Sequence, residues 1–255
     1  MKTKDYADLH ALEEEFWWFA GMRDITGALL DPICAGARDR MILDAGCGTG
    51  GNLSWLARYA GNGKVIGIDV AAEALGFCAA GQHEGLIQSS ATHLPFADSS
   101  FDLVTSFDVL MQLPGDRSDE QAIREMYRVL RTGGLVFVRV AAYEWMRSGH
   151  DEALATQRRY TLGELNEKMR NAGFNILRAT YANTLLLPAA AVRRLLLKRI
   201  GLADKGSDVT PLPPKFEWLN RFLANALRSE ARILRNPRAR LPAGLSAICI
   251  AEKTK

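Results

Sequence analysis

Only four of the 255 residues are cysteine (Cys34, Cys47, Cys78 and Cys249), and none forms a Cys-x-x-Cys pair. That scarcity excludes a zinc knuckle and a disulfide framework, and it predicts reduced thiols in a cytosolic compartment. No apolar signal core follows the opening Met-Lys-Thr-Lys-Asp, so a cytoplasmic rather than a secreted protein is expected. The longest apolar stretch, 184–197, is broken by Pro188 and by Arg193-Arg194 and is too short to span a bilayer. The 22 glycines and 9 prolines follow no period, which excludes a collagen-like or low-complexity chain. His10, His83 and His93 stand at no metal-ligand spacing, and no metal site is expected.

What is present is a globular composition. Apolar residues make up 48% and the formal net charge is +3, enough to bury one good core and too balanced for disorder. Residues 1–40 read as a helical lid, with Ile25, Ala28, Leu29 and Ile33 in one helix-spaced stripe before Gly36. Residues 41–182 alternate short apolar runs with amphipathic stretches, the pattern of a Rossmann-like α/β fold with a mostly parallel seven-stranded sheet. Strands are predicted at 41–45, 64–69, 85–88, 101–107, 135–140, 174–181 and 245–251, with helices at 52–59, 71–80, 119–130 and 162–172. Residues 183–241 form a basic helical insertion, and 242–255 supply the last strand and a charged tail. Between Arg193 and Arg240, twelve Lys and Arg face four Asp and Glu. Two readings of this insertion stay open, a helical cap over a substrate cleft and an interfacial element at a membrane surface. No aromatic-interleaved basic motif points to nucleic acid.

The most informative stretch is Met41-Ile-Leu-Asp-Ala-Gly-Cys-Gly-Thr-Gly-Gly-Asn52. Clustered glycines let a backbone approach a ligand closely, and the helix after them aims its N–H groups at the same place. Gly46, Gly48 and Gly51 satisfy Gly-x-Gly-x-x-Gly, which fits a nicotinamide dinucleotide as well. Asp44 discriminates. A carboxylate at the mouth of the loop repels a pyrophosphate and attracts a ligand carrying an ammonium and a sulfonium, such as S-adenosylmethionine. Asp69 ends the second strand, placed to accept hydrogen bonds from ribose hydroxyls. An oxidoreductase would also want a Tyr-x-x-x-Lys proton donor, and the chain contains none.

These residues, with Gly67-Ile-Asp69, Leu94-Pro-Phe-Ala-Asp-Ser-Ser-Phe-Asp102 and Arg128-Val-Leu-Arg-Thr-Gly-Gly134, resemble the class I S-adenosylmethionine-dependent methyltransferases. The resemblance covers roughly 40–181 and is nearest to the small-molecule branch of ubiquinone and menaquinone biosynthesis. It implies that Gly46, Cys47, Gly48, Gly50 and Asn52 cradle the methionine and ribose portions, that Asp69 binds ribose, and that Ser90 and Ala91 lie against adenine. Val70 and Phe107 would pack on the rings, Trp18 would sit at the rim, and Arg23 would hold the methionine carboxylate. Two departures stand out: Ser90 where relatives carry an acidic residue, and Gln112 where many carry histidine.

Loops beyond the carboxyl ends of parallel strands bind substrates in such sheets. Tyr143, Arg159 and Tyr160 are therefore the expected substrate contacts, and His150, Asp151 and Tyr160 the candidates for deprotonating an acceptor. The expectation is methyl transfer to a small or lipid-like acceptor, leaving S-adenosylhomocysteine. Two alternatives remain: an NAD(P)-dependent oxidoreductase, and a non-catalytic S-adenosylmethionine-binding or membrane-docking protein.

Overall fold

A computed structural model of the protein describes residues 3–13, 16–34, 36, 39–199 and 217–254. Seven strands form one sheet: β1 (Met41–Ala45), β2 (Lys64–Asp69), β3 (Leu86–Gln88), β4 (Phe101–Phe107), β5 (Leu130–Ala141), β6 (Phe174–Ala182) and β7 (Ser246–Lys253). Their order is β3-β2-β1-β4-β5-β7-β6. The pairings from β3 through β5 are parallel, and β7 runs antiparallel between β5 and β6. Every predicted strand is present, and β5 begins earlier than expected because Leu130 already pairs with Phe101. The strand order reverses between β1 and β4, the place where open α/β sheets leave a crevice at their carboxyl edge.

Side chains alternate between the two faces, as a pleated strand requires. Leu43, Val104, Val136, Val138 and Cys249 face a core shared with α5 (Ser118–Val129) and α7 (Leu162–Asn171). Ile42, Leu103, Phe137, Ile248 and Ile250 face the other core, built with α2 (Trp17–Cys34) and α9 (Glu217–Leu234). Thr161 and Glu164 form a reciprocal capping box that starts α7. The expected helix at 52–59 is short, α3 (Leu53–Leu56) followed by a single tighter turn. The helix α4 (Ala72–Ala80) follows β2 as expected.

The N-terminal segment divides in two. The helix α1 (Thr3–Leu12) lies beside α4, with His10 stacked on Phe77 at 5.1 Å between ring centroids. By contrast α2 is a core helix, with Met22, Ile25, Leu29 and Leu30 buried against the sheet. The insertion supplies α8 (Leu187–Arg199) and α9, and residues 200–216 lie outside the described ones. Leu227, Ala231 and Leu234 of α9 are buried in the same core as α2. Glu230 is also buried and accepts the backbone N–H groups of Asn183 and Leu185, both at 2.7 Å, which ties the end of β6 to α9. Gly21 lets the two helices meet: a Cβ there would lie 2.5 Å from Leu227 Cδ1. Substituting Gly21→Val should force these helices apart and cost about 2 kcal/mol, read as a lower midpoint in urea unfolding; an unchanged midpoint would show that the contact yields freely.

Candidate cofactor site

The glycine loop is pinned by the strand beside it. The N–H groups of Gly46 and Cys47 both donate to the Ile68 carbonyl at 2.8 Å, and that of Gly48 donates to the Asp69 carboxylate at 3.0 Å. Gly50 N–H donates to the Cys47 carbonyl, and Cys78 Sγ donates to the Gly48 carbonyl at 3.2 Å. A loop that holds diphosphate needs such amides turned toward the ligand. Here four of them are committed to the protein. Left-handed φ values at Gly46 (96°), Gly48 (55°) and Gly50 (94°) explain the residue type. At Gly46 a Cβ would also strike Val109, 2.2 Å away, whereas the same position on Gly48 meets nothing within 4 Å. The loop therefore presents an open concave edge at Gly48.

Asp44 lies on β1 opposite Thr105 of β4, at the point where strand order reverses. It is fully buried; Thr105 Oγ1 donates to its Oδ1 at 2.8 Å, while Oδ2 has no hydrogen-bond partner. Burial pushes its carboxyl up to about 7, opposed by the Thr105 hydroxyl and the Arg139 guanidinium and reinforced by the nearby Asp69 and Glu13. Asp69 accepts Gly48 N–H on one oxygen and Ala71 N–H on the other. Glu13, from the end of α1, is only 8% exposed and seats its carboxyl group against Gly51. Its Oε2 and the Thr49 hydroxyl are buried beside each other with no other hydrogen-bond partner; burial pushes the Glu13 carboxyl up, opposed by Thr49, His10, the Gly51 backbone and Arg23. Arg23 Nη1 donates to the Gly51 carbonyl at 3.3 Å.

The other expected cofactor residues come from separate elements of the chain. Val70, 62% exposed, presents an open apolar surface just after β2. The Ser90 hydroxyl meets Thr92 Oγ1 at 2.8 Å beside buried Ala91. Asn52 stands at the start of α3 without capping it through its side chain. Trp18 and Phe107 flank the Arg139 guanidinium at 4.8 and 5.1 Å from their ring centroids. Arg139 in turn donates twice to Asp108 Oδ2, at 2.9 and 2.6 Å. Asp108 has φ 60°, a left-handed backbone just past β4.

Glu13, Thr49, Thr105, Asp108 and Arg139 are the residues that sequence reasoning missed. For Arg139 a signal existed: a lone charge within Leu135-Val-Phe-Val-Arg-Val140 needs a buried partner. Glu13 carried none, because only the path of α1 brings it to the loop.

The residues expected to deprotonate an acceptor are placed differently. Asp151 is buried and accepts two hydrogen bonds from Arg159, at 2.7 and 3.0 Å, and one from Ser148 N–H. Burial alone would push its carboxyl up, and Arg159 reverses that, holding it below the ordinary value. Tyr160 is buried and donates to Asp119 at 2.8 Å, a carboxylate that Arg158 and Lys168 also contact. Burial pushes the Tyr160 phenol up, and Asp119 adds to the rise. His150 belongs to α6 (Gly149–Ala153), and its side chain lies outside the described residues. Tyr143, with φ 61°, stacks between Trp145 and Tyr181 at 5.8 and 5.2 Å. Among the described residues no cluster of His, Cys, Asp and Glu could hold a metal ion, and no helix is long and apolar enough to cross a membrane.

Residues 43–138 match the family model described as a methyltransferase domain. Over this segment the chain carries a methyltransferase domain. The chain is 35% identical over 119 residues to the demethylmenaquinone methyltransferase of Roseiflexus castenholzii, covering 46% of this chain and 47% of that one. It is 35% identical over 103 residues to the fatty-acid O-methyltransferase of Mycolicibacterium smegmatis, covering 39% and 36%. The chain thus spans less than half the length of either relative. Among solved structures, a Haemonchus contortus phosphoethanolamine N-methyltransferase, in complex with phosphomonomethylethanolamine and S-adenosylhomocysteine, superposes with a TM-score of 0.62 at 17% identity. That likeness covers 100% of this chain and 59% of the other, and it establishes the fold.

S-adenosylmethionine, the cofactor of this domain class, fits the residues present. A cationic ligand answers the orphaned oxygen of Asp44 and the buried carboxylate of Glu13, and the open edge of Gly48 leaves room for it. Until such a ligand binds, Asp44 is a liability. Its folded value of about 7 exceeds the ordinary aspartate value of 3.8, so the folded state holds a proton that the unfolded state releases between those limits. Stability of the ligand-free protein should therefore fall as pH rises from about 4 to 7. Asp44→Asn should remove that fall and melt several degrees above the parent at pH 8; a variant melting no higher would show that the carboxylate carries no such penalty.

Proposed function

We propose that this protein transfers a methyl group from S-adenosylmethionine to a small, apolar or amphiphilic acceptor. The observation that carries this reading is the sign of the site. A glycine loop with its amides already committed, faced by Asp44, Asp69 and Glu13, favours a cation over a diphosphate. That distinction also separates the reading from a nicotinamide-dependent oxidoreductase.

When bound, S-adenosylmethionine supplies a methyl already activated on a sulfonium centre. The work left to the chain is alignment and exclusion of water. Asp69 would hold the ribose, Arg23 the methionine carboxylate, and Val70 with the Ser90-Ala91 turn the adenine. Asp44 would lie near the positive end of the cofactor and favour its approach electrostatically.

On the acceptor side, the stacked Tyr143, Trp145 and Tyr181 form an aromatic wall past the carboxyl end of β5. Burial, with help from Tyr181, pushes the Tyr143 phenol up to about 12, so at neutral pH it stays a hydrogen-bond donor. An aromatic wall favours a ring or an apolar chain, and the named substrates of the two relatives, demethylmenaquinone and fatty acids, are of that kind. Arg159, paired with Asp151, donates to the Ala142 carbonyl next to Tyr143, which favours a positioning part for this pair over that of a base. The outward face of α9 supports peripheral contact with an anionic lipid surface: Trp218 and Phe222, 65% and 62% exposed, lie one turn apart beside Arg221.

Incubation with methyl-labelled S-adenosylmethionine and a cell extract should move label into an organic-soluble product. Label confined to macromolecules would contradict the acceptor class, and cofactor binding without any transfer would favour a non-catalytic binding protein. The site also makes affinity depend on pH. A cation prefers ionised Asp44, so calorimetric affinity for S-adenosylmethionine should rise about tenfold from pH 6 to pH 8, as expected for a group titrating near 7. In Asp44→Asn that rise should vanish; its persistence would assign the dependence elsewhere.

A further inference from the structure

Glu13 is a carboxylate where packing alone would not place one. It follows a helix whose own contacts are with α4, yet its side chain is buried on the glycine loop, with only His10 at 3.9 Å and Thr49 beside Oε2. A Cβ on Gly51 would fall 2.5 Å from Glu13 Cδ and 2.6 Å from Oε2, so the carboxyl in this position rests directly on the glycine backbone. The same Gly51 offers its carbonyl to Arg23 from the other side. One short piece of backbone is thus bracketed by a carboxylate and a guanidinium delivered from two different N-terminal helices.

The charges around Glu13 come from every element that packs on it. His10, half-exposed on α1, stands 3.9 Å from Oε2; Arg23 comes from α2; the Thr49 hydroxyl and Gly51 come from the loop; Asp44 approaches from β1. Thr49 is also buried, its hydroxyl with no other partner than Glu13. A buried carboxylate, a guanidinium and a hydroxyl at one turn match the two ends of a free α-amino acid.

We propose that Glu13 receives the α-ammonium of the cofactor's amino-acid end while Arg23 receives its carboxylate, so that α1 reads this end of the molecule and closes over it. This rests on the reading of the protein as an S-adenosylmethionine-binding methyltransferase. It adds a recognition residue outside the matched domain. It also gives α1 a reason to lie where it does: the ion pair formed with the ligand offsets the burial of the carboxylate. A ligand lacking the ammonium leaves the buried carboxylate without its counter-charge.

The test uses the full chain and two probes, S-adenosylhomocysteine and its analogue with the amino group replaced by hydrogen, measured by calorimetry at pH 7.5. Neither probe carries the sulfonium, so the contrast isolates the ammonium. The parent protein should bind S-adenosylhomocysteine at least tenfold more tightly than the deaminated analogue. Glu13→Gln, of the same shape, should lose at least tenfold for S-adenosylhomocysteine and less than twofold for the analogue, with an unchanged or raised melting temperature when free of ligand. Glu13→Asp should keep part of the discrimination, and it carries the test if the glutamine variant does not fold. Equal losses for both probes, or no loss for either, would overturn the assignment while leaving the methyltransferase reading intact. Failure of the parent protein to bind S-adenosylhomocysteine would instead overturn the methyltransferase reading, and this inference with it.

Discussion

Asp44 has no exposed surface, one oxygen held by Thr105 and the other held by nothing, and two further carboxylates close enough to raise its proton affinity. Burying an ionisable group this way is unfavourable unless a counter-charge arrives. The Arg139 guanidinium lowers that proton affinity, but Arg139 is already committed to Asp108. The site is therefore left short of positive charge at the point where strand order reverses, and the fold around it is arranged to keep it so.

That constraint connects features that otherwise look unrelated. The loop amides point back into the protein because Ile68 and Asp69 take them, which removes the donors an anion would seek. Gly46 is glycine because its φ is left-handed and Val109 packs on it, and the Glu13 carboxyl rests on the backbone of Gly51. Trp18 and Phe107 sandwich Arg139 and so hold its charge on Asp108 rather than over the loop. The pairing of α2 with α9 fixes the start of α2, the stretch that carries Trp18 and Arg23.

Much of this was legible in the residue order, and the reason is local. The strands show themselves because alternate positions face different cores, as Ile42 and Leu43 do. The loop shows itself because Gly46, Gly48, Gly50 and Gly51 would weaken any strand or helix they belonged to. The fate of 143–160 was not legible. Asp151 beside His150 reads in sequence like an acid–base pair, yet Arg159, eight residues on, folds back to take both carboxylate oxygens. Tyr160 reads like an active-site phenol and is bound to Asp119, 41 residues earlier, at the start of α5. The partner each side chain meets comes from elsewhere in the chain, and spacing carries no record of it. For α9 the helical spacing of its apolar residues is legible, Leu227 among them, but not that this face packs against α2.

Carbon-13 detection of the Asp44 carboxyl through a pH titration, with and without saturating S-adenosylmethionine, addresses the charge deficit directly. In the free protein the midpoint should lie near 7, and the cofactor should move it down by about two units or more as its positive charge favours the ionised form. A midpoint near the ordinary aspartate value in the free protein, or one that the cofactor leaves in place or raises, would contradict the claim that an unanswered carboxylate selects the ligand.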